Sequence, residues 1–100
     1  MKRERVLKIL HQYQSEILAY GVKSLALFGS VARDQAQQES DVDMLVEFDR
    51  PTGLFGLIAL QGYLESLLGC PVDLGTPDSL KARIRERVLE ECVYVTPPVG

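Results

Sequence analysis

The chain has 100 residues, 46% of them apolar and 25% charged, values that suit one folded domain spanning 1–100 and exclude disorder. Eleven Lys+Arg against fourteen Asp+Glu leave a net charge of −3, which argues against a nucleic-acid partner held by bulk charge. No apolar run is long enough to span a membrane, and Cys70 and Cys92 make no metal or redox spacing, so a reduced, cytoplasmic protein is expected.

Val6, Ile9, Leu10, Tyr13, Ile17 and Tyr20 recur at helical spacing and Gly21 supplies a stop. Ser24–Phe28 reads as a strand that ends at Gly29-Ser30, followed by a short helix from Ser30 to about Arg33. Asp41–Phe48 alternates, with Val42, Met44, Val46 and Phe48 on one face, and is a second strand. After the break at Pro51-Thr52-Gly53, Leu54, Leu57, Ile58, Leu64 and Leu68 form the stripe of a long helix closed by Gly69 and Pro71, with Phe55 and Leu60 at the stripe's exposed edge. Val72–Leu74 is a third strand. Thr76 is the expected N-cap of a helix with Pro77 at its first position and Leu80, Ile84 and Val88 toward the core. Val93–Val95 adds a possible edge strand, and 97–100 form a tail. The expected class is α+β: a small mixed sheet of three or four strands with helices packed mainly on one face.

Six of the fourteen acidic residues fall between Asp34 and Asp49. Asp41 and Asp43, two apart on a strand, point to the same face with Cα atoms about 6.5–7 Å apart. An isolated pair of this kind is most often a solvated strand face. Aspartate is disfavoured in strands, however, and two such charges at 4 Å repel by about 4 kcal/mol at an effective dielectric of 20. A divalent cation reverses that cost, and hard carboxylate oxygens suit Mg²⁺ or Mn²⁺. Asp73, between Val72 and Leu74 in an otherwise apolar strand, is a third carboxylate that packing does not explain. Gly29-Ser30, where a strand enters a helix, offers backbone N–H groups and a hydroxyl to phosphate, although a lone Gly-Ser is more often an ordinary capped turn. Ten residues separate this seat from Asp41.

Gly29-Ser30-Val31-Ala32-Arg33 followed by Ser40-Asp41-Val42-Asp43-Met44-Leu45-Val46 resembles the GSx(10)DxD signature of the DNA polymerase β-like nucleotidyltransferase superfamily. The short chain resembles its minimal branch, the MNT-domain antitoxins that pair with HEPN-domain toxins. The resemblance implies that Asp41, Asp43 and Asp73 are catalytic and hold two Mg²⁺ ions, and that Gly29 and Ser30 bind the phosphates of ATP. Arg33, like Arg83, Arg85 and Arg87, is a candidate for phosphate or partner contacts. It further implies a type VII-like antitoxin that moves AMP from ATP to a tyrosine of a HEPN RNase toxin, forming a hetero-oligomer with it and leaving room for a homodimer. An antitoxin that only occludes its toxin, and a transferase acting on a small molecule, are the alternatives. Asp34 departs from the glycine usual after Arg33 in this family, at a position that ligates no metal. Arg83, Arg85 and Arg87 read first as a solvated helix face with Glu86, Glu90 and Glu91. His11 reads as a surface residue, and Tyr13, Tyr20, Tyr63 and Tyr94 fall at core or edge positions.

Overall fold

The structure, a computed structural model, describes residues 2–29, 41–79 and 82–96, with only the backbone of 82–84. The expected short helix from Ser30 to Arg33, and the side chains of Ser30, Arg33, Asp34, Leu80, Arg83 and Ile84, therefore lie outside the described residues, as does the tail.

The first apolar stripe forms two helices rather than one, α1 (Arg3–Gln12) and α2 (Gln14–Leu18), broken at Tyr13 with φ −106° and ψ 20°. At the break, the Gln14 amide donates to Thr96 Oγ1 at 3.1 Å and the His11 ring meets the Val95 carbonyl at 3.2 Å. These bonds hold the bend against the last strand. His11 is exposed, as its position suggested.

Four strands follow: β1 (Val22–Phe28), β2 (Val42–Phe48), β3 (Val72–Gly75) and β4 (Val93–Thr96), ordered β3-β2-β1-β4 across one mixed sheet. β1 runs antiparallel to β2 and β4, and β2 runs parallel to β3. The parallel pair needs a crossover, which is the helix α3 (Gly53–Leu68). β1 begins two residues before the expected Ser24, and Lys23 bulges between the Val22↔Phe48 and Ser24↔Glu47 pairs.

Val42, Met44 and Val46 are wholly buried, as the alternation required, and meet Val6, Leu10, Ile17, Leu25 and Leu27 in one core. From α3 the core takes Leu60, Leu64 and Leu68, while Leu54 and Ile58 are 68% and 54% exposed and Phe55 is 89% exposed. Leu60 thus lies inside, not at the exposed edge, and Leu54 and Ile58 lie outside. At 100° per residue the stripe that faces the sheet runs through Leu57, Leu60, Leu64 and Leu68, and this places Phe55 on the opposite side. Gly69 ends α3 with φ +69° as expected.

Thr76-Pro77 does not open a helix directly. Pro77–Ser79 is a 3₁₀ turn, with both the Ser79 N–H and its hydroxyl on the Thr76 carbonyl at 3.0 and 2.7 Å, and α4 (Ala82–Glu91) follows. The Ser79 hydroxyl competes locally with helical hydrogen bonding. α1, α2 and α3 cover the Val42–Met44–Val46 face. Leu89 of α4 and Pro77 instead close over Ser24, Ala26, Leu45 and Glu47 on the other face, around a space of about 10 Å³. No described helix is long and apolar enough to cross a membrane.

Candidate active site

Because Val42, Met44 and Val46 point into the core, Asp43 points out of the opposite face of β2. Its neighbours across the sheet are Phe28 of β1 and Asp73 of β3. The parallel register pairs Asp43 with Asp73 directly, so the two carboxylates leave the same face side by side. Asp41 lies two residues earlier, just ahead of the strand, where the Val42 N–H on the Pro71 carbonyl at 3.1 Å starts the β2–β3 ladder. Asp41 and Asp73 are exposed and Asp43 is half-buried.

Partial burial holds the Asp43 carboxyl above its ordinary pKa, and the charges of Asp73 and Asp41 push it the same way. The carboxylates thus sense one another across the end of the sheet. Among the described residues no three carboxylate, imidazole or thiol groups stand close enough to enclose a cation as they are. The donor set nonetheless fits a hard divalent cation: its ligands are carboxylate oxygens, and positive charge relieves the repulsion that Asp43 carries.

Gly29 follows β1 directly and takes φ +73°. A Cβ there would fall against the Asp43 carboxylate, so glycine serves both the left-handed turn and the close approach. Thus Gly29, Asp41, Asp43 and Asp73 share one end of the sheet, while Ser30 and Arg33 lie outside the described residues. Arg87 pairs with Glu91 at 3.7 Å on an exposed helix face, as the simpler expectation had it, whereas Arg85 departs from it: its side chain is half-buried and its Nε is enclosed without a hydrogen-bond partner among the described residues.

Two residues that the sequence reading passed over hold Asp73 in place. The Gln61 amide donates to the Val72 carbonyl at 2.8 Å, and the Val72 N–H donates to Glu65 at 3.0 Å. Together they take up both outward backbone groups of Val72, the residue before Asp73, and cover that part of the sheet edge. The available signal was the (i, i+4) spacing of two polar residues in a helix otherwise rich in leucine.

A small α+β sheet with acidic side chains gathered beside a glycine turn defines a class, and comparison with known proteins bears on it. The nucleotidyltransferase domain family matches residues 3–95, so the chain belongs to that family and is a nucleotidyltransferase. Within the family it is similar to the protein adenylyltransferase MntA of Thermococcus cleftensis, 43% identical over 93 residues that cover 92% of this chain and 94% of that protein. A solved structure assigned as a minimal nucleotidyltransferase is 35% identical and superposes with a TM-score of 0.82, covering 93% of this chain and 95% of the other. A chain in the complex of the tri-AMPylated HEPN toxin of Shewanella oneidensis with its MNT antitoxin shares the fold. Its TM-score is 0.63 at 18% identity, with coverage of 89% and 71%.

Proposed function

We propose that this chain is one minimal domain acting as a protein adenylyltransferase: it moves AMP from ATP to a tyrosine hydroxyl of a cognate HEPN-domain toxin and so neutralises it, as a type VII-like antitoxin of the cytoplasm. The observation that carries the reading is the register pair Asp43↔Asp73 beside Gly29, with Asp43 raised by burial and by its two acidic neighbours. The similarity to a protein adenylyltransferase at 43% identity over nearly the whole chain supports the choice of AMP and of a protein acceptor.

Asp41, Asp43 and Asp73 would hold two Mg²⁺ ions, with Mn²⁺ an acceptable substitute. Such cations, when bound, neutralise triphosphate oxygens and stabilise the attacking and leaving oxygens of an in-line displacement. The chain's own residues do the rest. The Gly29 backbone and Ser30 seat the β- and γ-phosphates and Arg33 adds positive charge to them. Asp73, exposed and therefore open to an acceptor, takes the proton of the tyrosine hydroxyl. The hydroxyl oxygen then attacks the α-phosphorus, its bond to the bridging oxygen breaks, and pyrophosphate leaves. Position and charge are the protein's contribution.

The test is transfer of label from α-³²P-ATP to a HEPN-domain partner, with mass spectrometry to locate the modified tyrosine. Asp41→Asn with Asp43→Asn should abolish transfer while leaving the fold intact by circular dichroism. Undiminished transfer by that variant removes the carboxylates from the chemistry. Neutralisation of the toxin without any transfer would make the chain an occluding antitoxin.

A further inference from the structure

The helix α3 carries one charged side chain in sixteen residues, Glu65, and that carboxylate accepts the Val72 N–H at 3.0 Å. A helix lying on a surface shows an apolar stripe and a polar opposite side, whereas one apolar all round belongs in an interior. α3 has its core stripe in Leu57, Leu60, Leu64 and Leu68. A second line, Phe55, Ala59, Gly62 and Ser66, runs along the opposite side of the helix, and all four are exposed. Leu54 and Ile58 flank it, 68% and 54% exposed. The Ser66 hydroxyl donates to the Tyr63 carbonyl at 2.8 Å, so covering this line strands no polar side chain.

The line is graded in size. Phe55, near one end, is 89% exposed and projects a whole ring. Gly62, two turns on, has no side chain, and a Cβ built there would meet nothing within 4 Å, so it is a notch open to solvent. Ala59 between them is small enough for a second helix to come close. A two-fold axis crossing the helix between Ile58 and Ala59 sets two copies antiparallel and lays each Phe55 over the other copy's Gly62. Self-complementarity of this kind is what an isologous pair requires, and a different partner makes no such demand. The line carries no charge, so pairing it with itself brings no like charges together. A patch of this extent is roughly 300–600 Å², and joining two buries roughly 600–1,200 Å², the range of weak, reversible association.

We propose that the outer face of α3 pairs with the same face of a second copy of this chain, antiparallel and about a two-fold axis, with Phe55 seated on Gly62. α3 covers the core face of the sheet and Asp43 leaves the other face. Both carboxylate sites therefore stay open in the dimer, and each copy presents its own to an acceptor. The small buried area makes the pairing concentration-dependent, with a dissociation constant in the micromolar to millimolar range.

Sedimentation velocity across that range should show monomer giving way to dimer. Amide shifts in ¹⁵N-labelled protein should grow with concentration at Phe55, Ala59 and Gly62. Phe55→Ser and Gly62→Leu should each weaken pairing about tenfold or more. The new leucine meets nothing in the monomer and replaces a glycine inside a helix, so the unfolding midpoint of dilute Gly62→Leu should rise, which separates lost pairing from lost folding. The double variant Phe55→Ala with Gly62→Leu exchanges knob and notch and should recover most of the affinity that Gly62→Leu loses. A monomer throughout, pairing indifferent to both single substitutions, or no recovery in the double variant overturns the proposal. AMP transfer should be unchanged by Phe55→Ser. A folded Phe55→Ser that no longer transfers AMP to a HEPN-domain partner, or no longer binds it, would give this face to the acceptor and overturn the proposal as well.

Discussion

Gly29→Ala tests whether the glycine turn and the Asp43 carboxylate are one mechanical unit. Gly29 sits at φ +73°, where an L side chain costs roughly 1–2 kcal/mol. The added methyl also meets Asp43, whose Oδ2 is nearest and whose Cγ and Cβ follow at 3.3 and 3.4 Å. Turning the carboxylate aside costs about 0.5–1.5 kcal/mol in an off-rotamer χ. The sum is about 1.5–3.5 kcal/mol, and at about 4–8 °C per kcal/mol for a domain of this size the unfolding midpoint should fall by roughly 6–28 °C. Gly69→Ala is the control, because Gly69 has nearly the same φ, +69°, with nothing within 4 Å of a new Cβ. It should lose the backbone part alone. Placing Gly29→Ala in an Asp43→Ala background should recover about 1 kcal/mol, since only the Asp43 Cβ then remains, at an ordinary contact distance. Thermal unfolding followed by circular dichroism reads the wild type and the four variants, Asp43→Ala alone among them. An equal loss at Gly29 and Gly69, with no recovery in the Asp43→Ala background, refutes the contact.

Asp43→Asn should stabilise the protein at neutral pH while abolishing AMP transfer. The folded-state pKa of Asp43 is raised above the unfolded 3.8, so the folded state binds the proton more tightly and wild-type stability falls as pH rises through that window. The Asn variant should lose that decline in pH-dependent urea unfolding. Tyr63 should titrate near pH 12 in the ultraviolet spectrum, since desolvation, then its hydrogen bond to Glu16 and that residue's charge, push it up to about 12. Glu16→Gln should bring the step down. Leu60→Ala should cost about 2–5 kcal/mol in denaturant unfolding, whereas Phe55→Ser on the far side of the same helix should cost under about 0.5 kcal/mol. Mg²⁺ with ATP at 100 times its dissociation constant should stabilise the fold by about 2.7 kcal/mol in a thermal scan, and chelation should remove the effect.

Much of the site was legible because one strand carries both the core and the acids. Val42, Met44 and Val46 fix which face is buried, and alternation alone then puts Asp41 and Asp43 together on the other. Asp73 stood out as a charge flanked by apolar neighbours. That it pairs with Asp43 in register could not be read, because register depends on how α3 packs and on the Pro71 carbonyl that starts the ladder. The apolar stripe of α3 was misjudged for a related reason. A helix rich in leucine offers more than one plausible face, and only docking decides that Leu60 goes inside and Ile58 stays out. At Pro77 the local signal for a helix start was sound, yet Ser79 folds back on Thr76 and delays the helix.

The same division explains how the sheet tolerates acids that repel. A slip of one residue in β2 would turn Asp43 into the core and Val42, Met44 and Val46 outward. Each of those side chains is wholly buried, which is worth about 1.5–3 kcal/mol apiece, or roughly 5–9 kcal/mol for the three. Two carboxylates 4 Å apart at an effective dielectric of 20 repel by about 4 kcal/mol, and Asp43, half-buried and next to water, feels less. The core term therefore exceeds the repulsion, and the acids stay in register although they destabilise one another. Gln61 and Glu65 add to this from outside the site by holding the Val72 backbone. Substituting both with alanine should loosen Asp73 rather than unfold the chain, raising amide exchange at 72–74 and lowering AMP transfer, while the buried β1–β2 pair keeps its protection. Uniform loss of protection across the sheet would show instead that β3 is needed for the whole core, and that the carboxylate pair has no separate support.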